Sequence, residues 1–195
     1  MKKIILSAAI TLFILPAFAQ LNAEKTGIKK LFFNFLAFYK KHEVTFNSFV
    51  LYKGKGKDNA PPYRLQWKEA ERYFAYLRSS VPYVGEAYIR AERAHFKFSD
   101  SCFKANPDDE IAAGFDYDRW AGGQESIAYT YKWYTSAKNK YMVTITGNNA
   151  ILKIGSALLD GSNNEKDRNW SFVPFVKEKG KWKMADNIYP ADDGN

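Results

Sequence analysis

The chain has 195 residues, a net charge of +8, 17% aromatic residues and a single cysteine, Cys102. One cysteine cannot form an internal disulfide, which excludes a disulfide-stapled scaffold and leaves the fold to rest on its apolar core. The basic residues are spread along the chain rather than gathered in a stripe, which argues against a nucleic-acid partner, and the length is that of one domain.

The first residues have the features of a secretory signal peptide. Two lysines precede an apolar run, and the tripeptide AFA at positions 17–19 fits the small-x-small cleavage pattern. We expect export to remove residues 1–19, so that a periplasmic or secreted bacterial protein begins at Gln20 with a net charge of +6. The apolar run is too short to span a bilayer, and no cysteine follows it for lipid attachment, so we expect no membrane anchor.

Residues 25–46 carry the first helical signal of the mature chain, which Thr26 can cap. One stripe of a 3.6-residue period contains Ile28, Leu31, Phe32, Phe35, Leu36 and Tyr39. This stripe predicts a long helix with one face in the core.

The segment KGKGKDNAPP, residues 53–62, predicts a solvated loop, because glycine and proline interrupt regular structure and lysine prefers water. A second helix is predicted over Tyr63–Arg78. A third is predicted to start from a serine cap at position 79 or 80, with Pro82 in its first turn, and to reach Lys97. Its predicted inner face consists of Val84, Tyr88, Ala91 and His95.

After residue 126 the apolar period changes to two. The segment IAYTYKWY at 127–134 predicts a strand, with some aromatic rings in the core and the others at a pocket mouth or a partner surface. Alternation also predicts strands at 141–146, 151–159, 170–178 and 181–188, joined by a GNN turn at 147–149, a polar loop at 160–167 and an EKGK turn at 178–181. Helices followed by an antiparallel meander of about five strands predict an α+β fold.

Two segments resemble a known superfamily. The closing WSFVPFVKEKGKWKMADNIYP, residues 170–190, resembles the last hairpin of the nuclear transport factor two-like superfamily, and GFDYDRWAGGQES, residues 114–126, is similar to a loop of its bacterial domain-of-unknown-function family 3828. The resemblance covers about residues 25–190. It implies a single cystatin-like cone domain, in which N-terminal helices pack into a strongly curved antiparallel sheet. It also implies a pocket but no particular reaction, because such relatives include both enzymes and binding proteins.

The loop before residue 127 is acidic and contains Asp108, Asp109, Glu110, Asp116 and Asp118. A calcium loop would begin like DYDRWAGGQE, but Trp120 holds the fifth position and no acidic residue holds the twelfth. A buried Asp116 or Asp118 could instead serve as a general base. The interpretation we favour is a structural turn, in which both aspartates accept backbone N–H groups and the Gly-Gly pair supplies backbone freedom. On that interpretation Asp116→Asn is expected to cost about 1–3 kcal/mol.

Other catalytic and metal signatures are weak. Two histidines, His42 and His95, and one cysteine make a zinc site improbable, and no HExxH pattern occurs. A Cys102–His95 nucleophile would require spatial contact, and a small buried thiol is the simpler interpretation of Cys102. We therefore predict no catalytic residue, no metal and no cofactor.

Together these patterns predict an exported, non-catalytic binding module for an unknown small molecule or protein, with a homodimer left open. The predicted pocket or rim residues are Asp116, Asp118, Trp120, Gln124, Tyr131 and Trp133. The alternatives are a periplasmic immunity protein that inhibits a delivered toxin, and an enzyme that uses a carboxylate in the cone pocket. In the last strand, Trp182 is predicted to share the core-facing side with Met184, so that Trp182→Ala would cost about 3–5 kcal/mol if the ring is fully buried.

Overall fold

The computed structural model describes residues 3–157 and 168–190, with side chains over 20–157 and 168–189. The helices are α1 (Lys3–Phe46), α2 (Trp67–Ser80), α3 (Glu86–Ala105) and α4 (Ile127–Thr135). The strands are β1 (Tyr52–Lys55), β2 (Ala60–Leu65), β3 (Lys140–Thr146), β4 (Asn149–Ser156), β5 (Asn169–Glu178), β6 (Lys181–Met184) and β7 (Tyr189–Pro190). The predicted leader, residues 1–19, lies outside the described side chains, and the predicted polar loop at 160–167 lies outside the described residues altogether.

The α+β class is confirmed, because helices precede an antiparallel meander. The main sheet has the order β3-β4-β5-β6, and the short β7 pairs with β5 beyond the end of β6. The predicted single strand over 181–188 is therefore wrong in its second half. The chain leaves the sheet after Met184 and turns Asn187 into the interior, where its side chain is buried.

Helix α1 buries the predicted stripe. Ile28, Phe32, Phe35 and Leu36 are fully buried, and α1 contacts α4, β3 and β6. Each such side chain stabilises the fold by about 1.5–3 kcal/mol relative to an exposed one. Thr26 does not cap this helix, because it lies inside α1 and its hydroxyl donates to the Asn22 carbonyl oxygen at 3.0 Å.

The predicted solvated loop at 53–62 is instead most of a β-hairpin. Strand β1 pairs antiparallel with β2, with Tyr52 opposite Leu65. The left-handed backbone of Gly56 (φ 66°) and Asn59 (φ 52°) permits the turn. Proline is tolerated here because a two-stranded ribbon consists of edge strands, where a missing N–H need not cost a ladder hydrogen bond.

Helix α3 begins later than predicted and runs further. The Glu178 carboxylate of β5 accepts the N–H groups of Glu86 (3.0 Å) and Ala87 (2.9 Å), which caps the helix from a distant segment. The serines at 79 and 80 end α2 instead. Of the predicted inner face, Val84 and Tyr88 are buried while Ala91 and His95 are half-buried.

The strand predicted at 127–134 is wrong, because this segment is helix α4. The Ser126 hydroxyl accepts the Tyr129 N–H at 3.3 Å and caps the helix. Ile127, Thr130 and Tyr134 are buried, at a spacing that matches a helical face. Aromatic residues occupy both faces of the segment, so its apolar pattern fits a period of two as well as one of 3.6.

Trp182 is half-buried rather than fully buried, whereas Met184 is fully buried. The indole Nε1 donates to Glu24 at 3.0 Å, and the Lys177 ammonium lies 4.9 Å from the centre of the ring. The cost estimated for a fully buried Trp182 is therefore too large. Within the described part of the chain, no helix is long and apolar enough to cross a membrane.

Candidate functional site

A cavity of about 370 Å³ lies between the end of α1, helices α2 and α3, and the loop that precedes α4. We call it the main cavity. Aromatic side chains form most of its wall, and the polar or charged lining residues are Asn47, Glu92, Asp118 and Arg119. Because the lining comes from four segments that are distant in sequence, only the folded chain brings these residues together.

Trp120, predicted from the sequence as a pocket or rim residue, forms a buried part of the wall of the main cavity. Its side chain is only 7% exposed, and it stacks on Tyr88 with a centroid distance of 4.8 Å and an interplanar angle of 14°. Four further rings surround it: Phe35, Tyr39, Phe46 and Tyr73. These rings belong to α1, α2 and α3, so one loop residue ties three helices together.

Asp118 holds the loop in a closed turn. Its Oδ1 accepts the N–H groups of Trp120 (2.8 Å) and Ala121 (3.0 Å), and its Oδ2 accepts the Tyr39 hydroxyl at 2.7 Å. The Gly122 N–H donates to the Asp118 carbonyl oxygen at 2.8 Å, with Gly122 at φ 71°. Burial first, and the charge of Asp118 second, raise the pKa of Tyr39, so its hydroxyl remains a donor. The structural interpretation is confirmed for Asp118.

Asp116 differs from Asp118, because its side chain is exposed and no described residue bonds to its carboxylate. The loss of stability predicted for Asp116→Asn is therefore expected for substitution of Asp118 instead. We expect Asp118→Ala to lower the free energy of unfolding by about 1–3 kcal/mol, since two backbone donors and one hydroxyl lose their acceptor. Asp116→Ala, the matched control, should stay within about 0.5 kcal/mol of the unsubstituted protein. Urea denaturation of both variants measures the difference, and equal losses would contradict this assignment.

The second carboxylate of the main cavity, Glu92, is 1% exposed and fully engaged. Its Oε1 accepts Arg119 Nη2 (2.5 Å), Arg119 Nε (3.1 Å) and Asn187 Nδ2 (2.8 Å), and its Oε2 accepts the Tyr73 hydroxyl at 3.1 Å. Tyr88 in turn donates to Asn187 Oδ1. Burial raises the pKa of Tyr73 well above its usual value, and Glu92 adds to the rise. This network joins α2, α3, the loop before α4 and the segment between β6 and β7.

Sequence reasoning did not identify Glu92. Its position on the inward stripe of α3, four residues after Tyr88 and four before Phe96, was the available signal. A carboxylate at such a position requires a buried partner, because an isolated buried charge is very costly.

The remaining predicted site residues are scattered. Trp133 borders a second cavity of about 240 Å³ with Gly122, Gly123 and Glu125. Tyr131 is half-buried beneath the Lys40 ammonium, 5.2 Å from the ring centre. Gln124 is an exposed loop side chain. Of the six residues, the structure therefore brings only Asp118 and Trp120 together at the main cavity.

The histidines and the cysteine lie apart from one another. His42 stacks on Phe38 at 4.2 Å. His95 Nε2 is 3.1 Å from the Gly114 carbonyl oxygen, and burial first, then Arg119, lower the pKa of His95. Cys102 is half-buried two helical turns further along α3, about 10 Å from His95 along the axis, too far for a nucleophile–base contact. Among the described residues, no group of three or more His, Cys, Asp or Glu side chains converges on one point.

No family model, curated protein or solved structure matches this chain. Even a shared fold would not assign an activity, since one fold hosts many functions. The chemistry of the main cavity is therefore the basis for distinguishing binding from catalysis.

Proposed function

We propose that the protein is an exported, non-catalytic module that binds an apolar small molecule in the main cavity. The observation that carries this proposal is that both carboxylates at the cavity are occupied by hydrogen bonds within the protein. The leader-like residues 1–19 support export to the periplasm or the medium. The order of helices and antiparallel strands is consistent with the nuclear transport factor two-like superfamily. The resemblance of the loop at residues 114–126 is what supports its domain-of-unknown-function family 3828.

The hydrogen bonds that Asp118 and Glu92 already accept favour binding over catalysis. A general base needs a free lone pair within reach of the substrate proton. Of the roughly four lone-pair sites of a carboxylate, protein donors fill three on Asp118 and all four on Glu92. Recruiting Glu92 would break hydrogen bonds worth about 1.5–3 kcal/mol each, and Asp118 is held in the turn by its three donors. These groups fix the shape of the cavity, which leaves the aromatic wall to contact a ligand.

The wall suits an apolar ligand. Small-molecule sites are typically clefts of about 300–1,000 Å³ with largely apolar walls. The main cavity has that size, and most of its lining side chains are aromatic. Phe46 and Tyr73 each contact Trp120 edge to face, with centroid distances of 5.0 Å and 6.1 Å. Such mutual packing holds the rings in place before a ligand arrives, which reduces the entropy lost on binding.

Phenylnaphthylamine, a neutral apolar fluorophore, tests the proposal. We expect saturable fluorescence enhancement at one site per chain. Asn47→Trp should weaken binding at least about tenfold, because Asn47 is an exposed lining residue and a bulky ring there fills the entrance. Ser48→Trp is the matched control, since the adjacent Ser48 is exposed and is not part of the lining. An absence of saturable binding, or equal affinity in both variants, would contradict the proposal.

A further inference from the structure

A further cavity, of about 490 Å³, adjoins the main cavity on the side of the β1–β2 hairpin. We call it the outer cavity. Phe49, Leu51 and Phe115 line both cavities, so the two cavities adjoin each other at these three side chains. We call the pair the cleft; Trp120 lines one end of it and the hairpin turn lines the other.

The charges divide unequally along this cleft. The main cavity holds two carboxylates, Glu92 and Asp118, against one cation, Arg119. The charged lining of the outer cavity consists of Lys53 and Lys57, both exposed. Neither lysine has an ion-pair partner among the described residues, whereas Arg119 is already paired with Glu92 at 2.5 Å. Among the described lining residues, the charged side chains without an ion-pair or hydrogen-bond partner in the protein are therefore positive and lie at the hairpin end.

From this division we infer that the ligand is an organic anion, whose apolar body occupies the main cavity and whose acidic group is held by Lys53 and Lys57. The inference rests on the proposed function and narrows it. An anion in the main cavity would face the two carboxylates, while an acidic group at the hairpin would meet ammonium donors, which bind carboxylates, sulfonates and phosphates through charge-assisted hydrogen bonds.

The hairpin also provides a control. Lys55 lies between the two lysines in sequence and is exposed, yet it does not line the outer cavity. The pairing register shifts between Lys53 and Lys55, which breaks the simple alternation of the strand. Lys55→Gln thus removes the same charge from the same hairpin without touching the cleft.

The test compares two probes that share a ring system, anilinonaphthalene sulfonate and the neutral phenylnaphthylamine. In fluorescence titrations, Lys53→Gln and Lys57→Gln should each weaken sulfonate binding about threefold to fivefold, the upper part of the range for an exposed charge contact. Both should leave phenylnaphthylamine affinity unchanged, and Lys55→Gln should alter neither probe. Raising the salt from about 0.1 M to about 1 M should weaken only sulfonate binding, because the Debye length falls from about 10 Å to about 3 Å and exposed charge contacts are screened.

The outcomes separate this inference from the proposed function. If phenylnaphthylamine binds but the lysine variants leave sulfonate affinity intact, the anion inference is wrong and the binding module stands. If the variants weaken both probes equally, the lysines act on the fold rather than on the acidic group, which also overturns the inference. If neither probe binds saturably, the proposed function fails, and the inference fails with it.

Discussion

Glu92→Ala is expected to lower the free energy of unfolding by about 3–5 kcal/mol, because it leaves the Arg119 guanidinium buried without its counter-charge. The two side chains are only 2% and 12% exposed, so bulk solvent screens the remaining charge weakly. At about 2–4 °C per kcal/mol for a chain of this size, thermal unfolding should shift down by about 6–20 °C.

The control is a second Glu–Arg pair that also involves α3. Glu71 of α2 pairs with Arg93 of α3, but these side chains are 53% and 33% exposed. Glu71→Ala should therefore cost no more than about 1 kcal/mol. Equal losses for Glu71→Ala and Glu92→Ala would show that burial of the Glu92–Arg119 pair does not matter to stability.

A double substitution separates the effect of losing the charges from the effect of losing side-chain volume. Glu92→Met with Arg119→Met removes both ions and keeps most of the volume. The double variant should be more stable than Glu92→Ala, since no lone charge remains buried. Its free energy of unfolding should still be lower than that of the unsubstituted protein, because Tyr73 and Asn187 lose a hydrogen-bond acceptor.

Elements whose signals are local could be predicted from the sequence. The stripe of α1 depends only on spacing along one helix, and it is buried as expected. The β3–β4 hairpin follows from alternation on both sides of the GNN turn, where Gly147 takes φ 58°. The turn between β5 and β6 likewise has Lys179 and Gly180 in left-handed geometry, at φ 49° and 77°.

Features set by distant contacts could not be predicted. The cap of α3 comes from Glu178, 92 residues away from Glu86. The burial of Glu92 depends on Arg119 and Asn187, which only the folded chain brings to α3. For α4, the aromatic pattern fits both periods, and the decisive signal was the Ser126 cap. In the acidic loop, two aspartates of identical type differ because only Asp118 reaches Tyr39.

Trp120→Ala is the second substitution expected to have a large effect, about 3–5 kcal/mol, the range for deleting a buried aromatic side chain. The indole fills the space between three helices, and the main cavity adjoins it, so partial collapse of the void would put the cost at the lower end. Trp133→Ala is the comparison. Because Trp133 is half-buried beside a surface cavity, this substitution should lower the free energy of unfolding by less. Urea denaturation gives both free energies, and an equal loss for the two would mean that Trp120 does not organise the helices.

Trp120 and Asp118 should also be energetically coupled. The Asp118 carboxylate accepts the Trp120 N–H at 2.8 Å and, through its other oxygen, the hydroxyl of Tyr39, whose ring lies 6.1 Å from the indole. When two substituted residues belong to one contact network, their effects on the free energy of unfolding do not simply add, and the coupling energy is about 0.5–3 kcal/mol. Once the indole is gone, the turn no longer positions a core residue, so adding Asp118→Ala to Trp120→Ala should cost less than Asp118→Ala alone. Strict additivity in this cycle would mean that the turn and the aromatic core stabilise the protein independently.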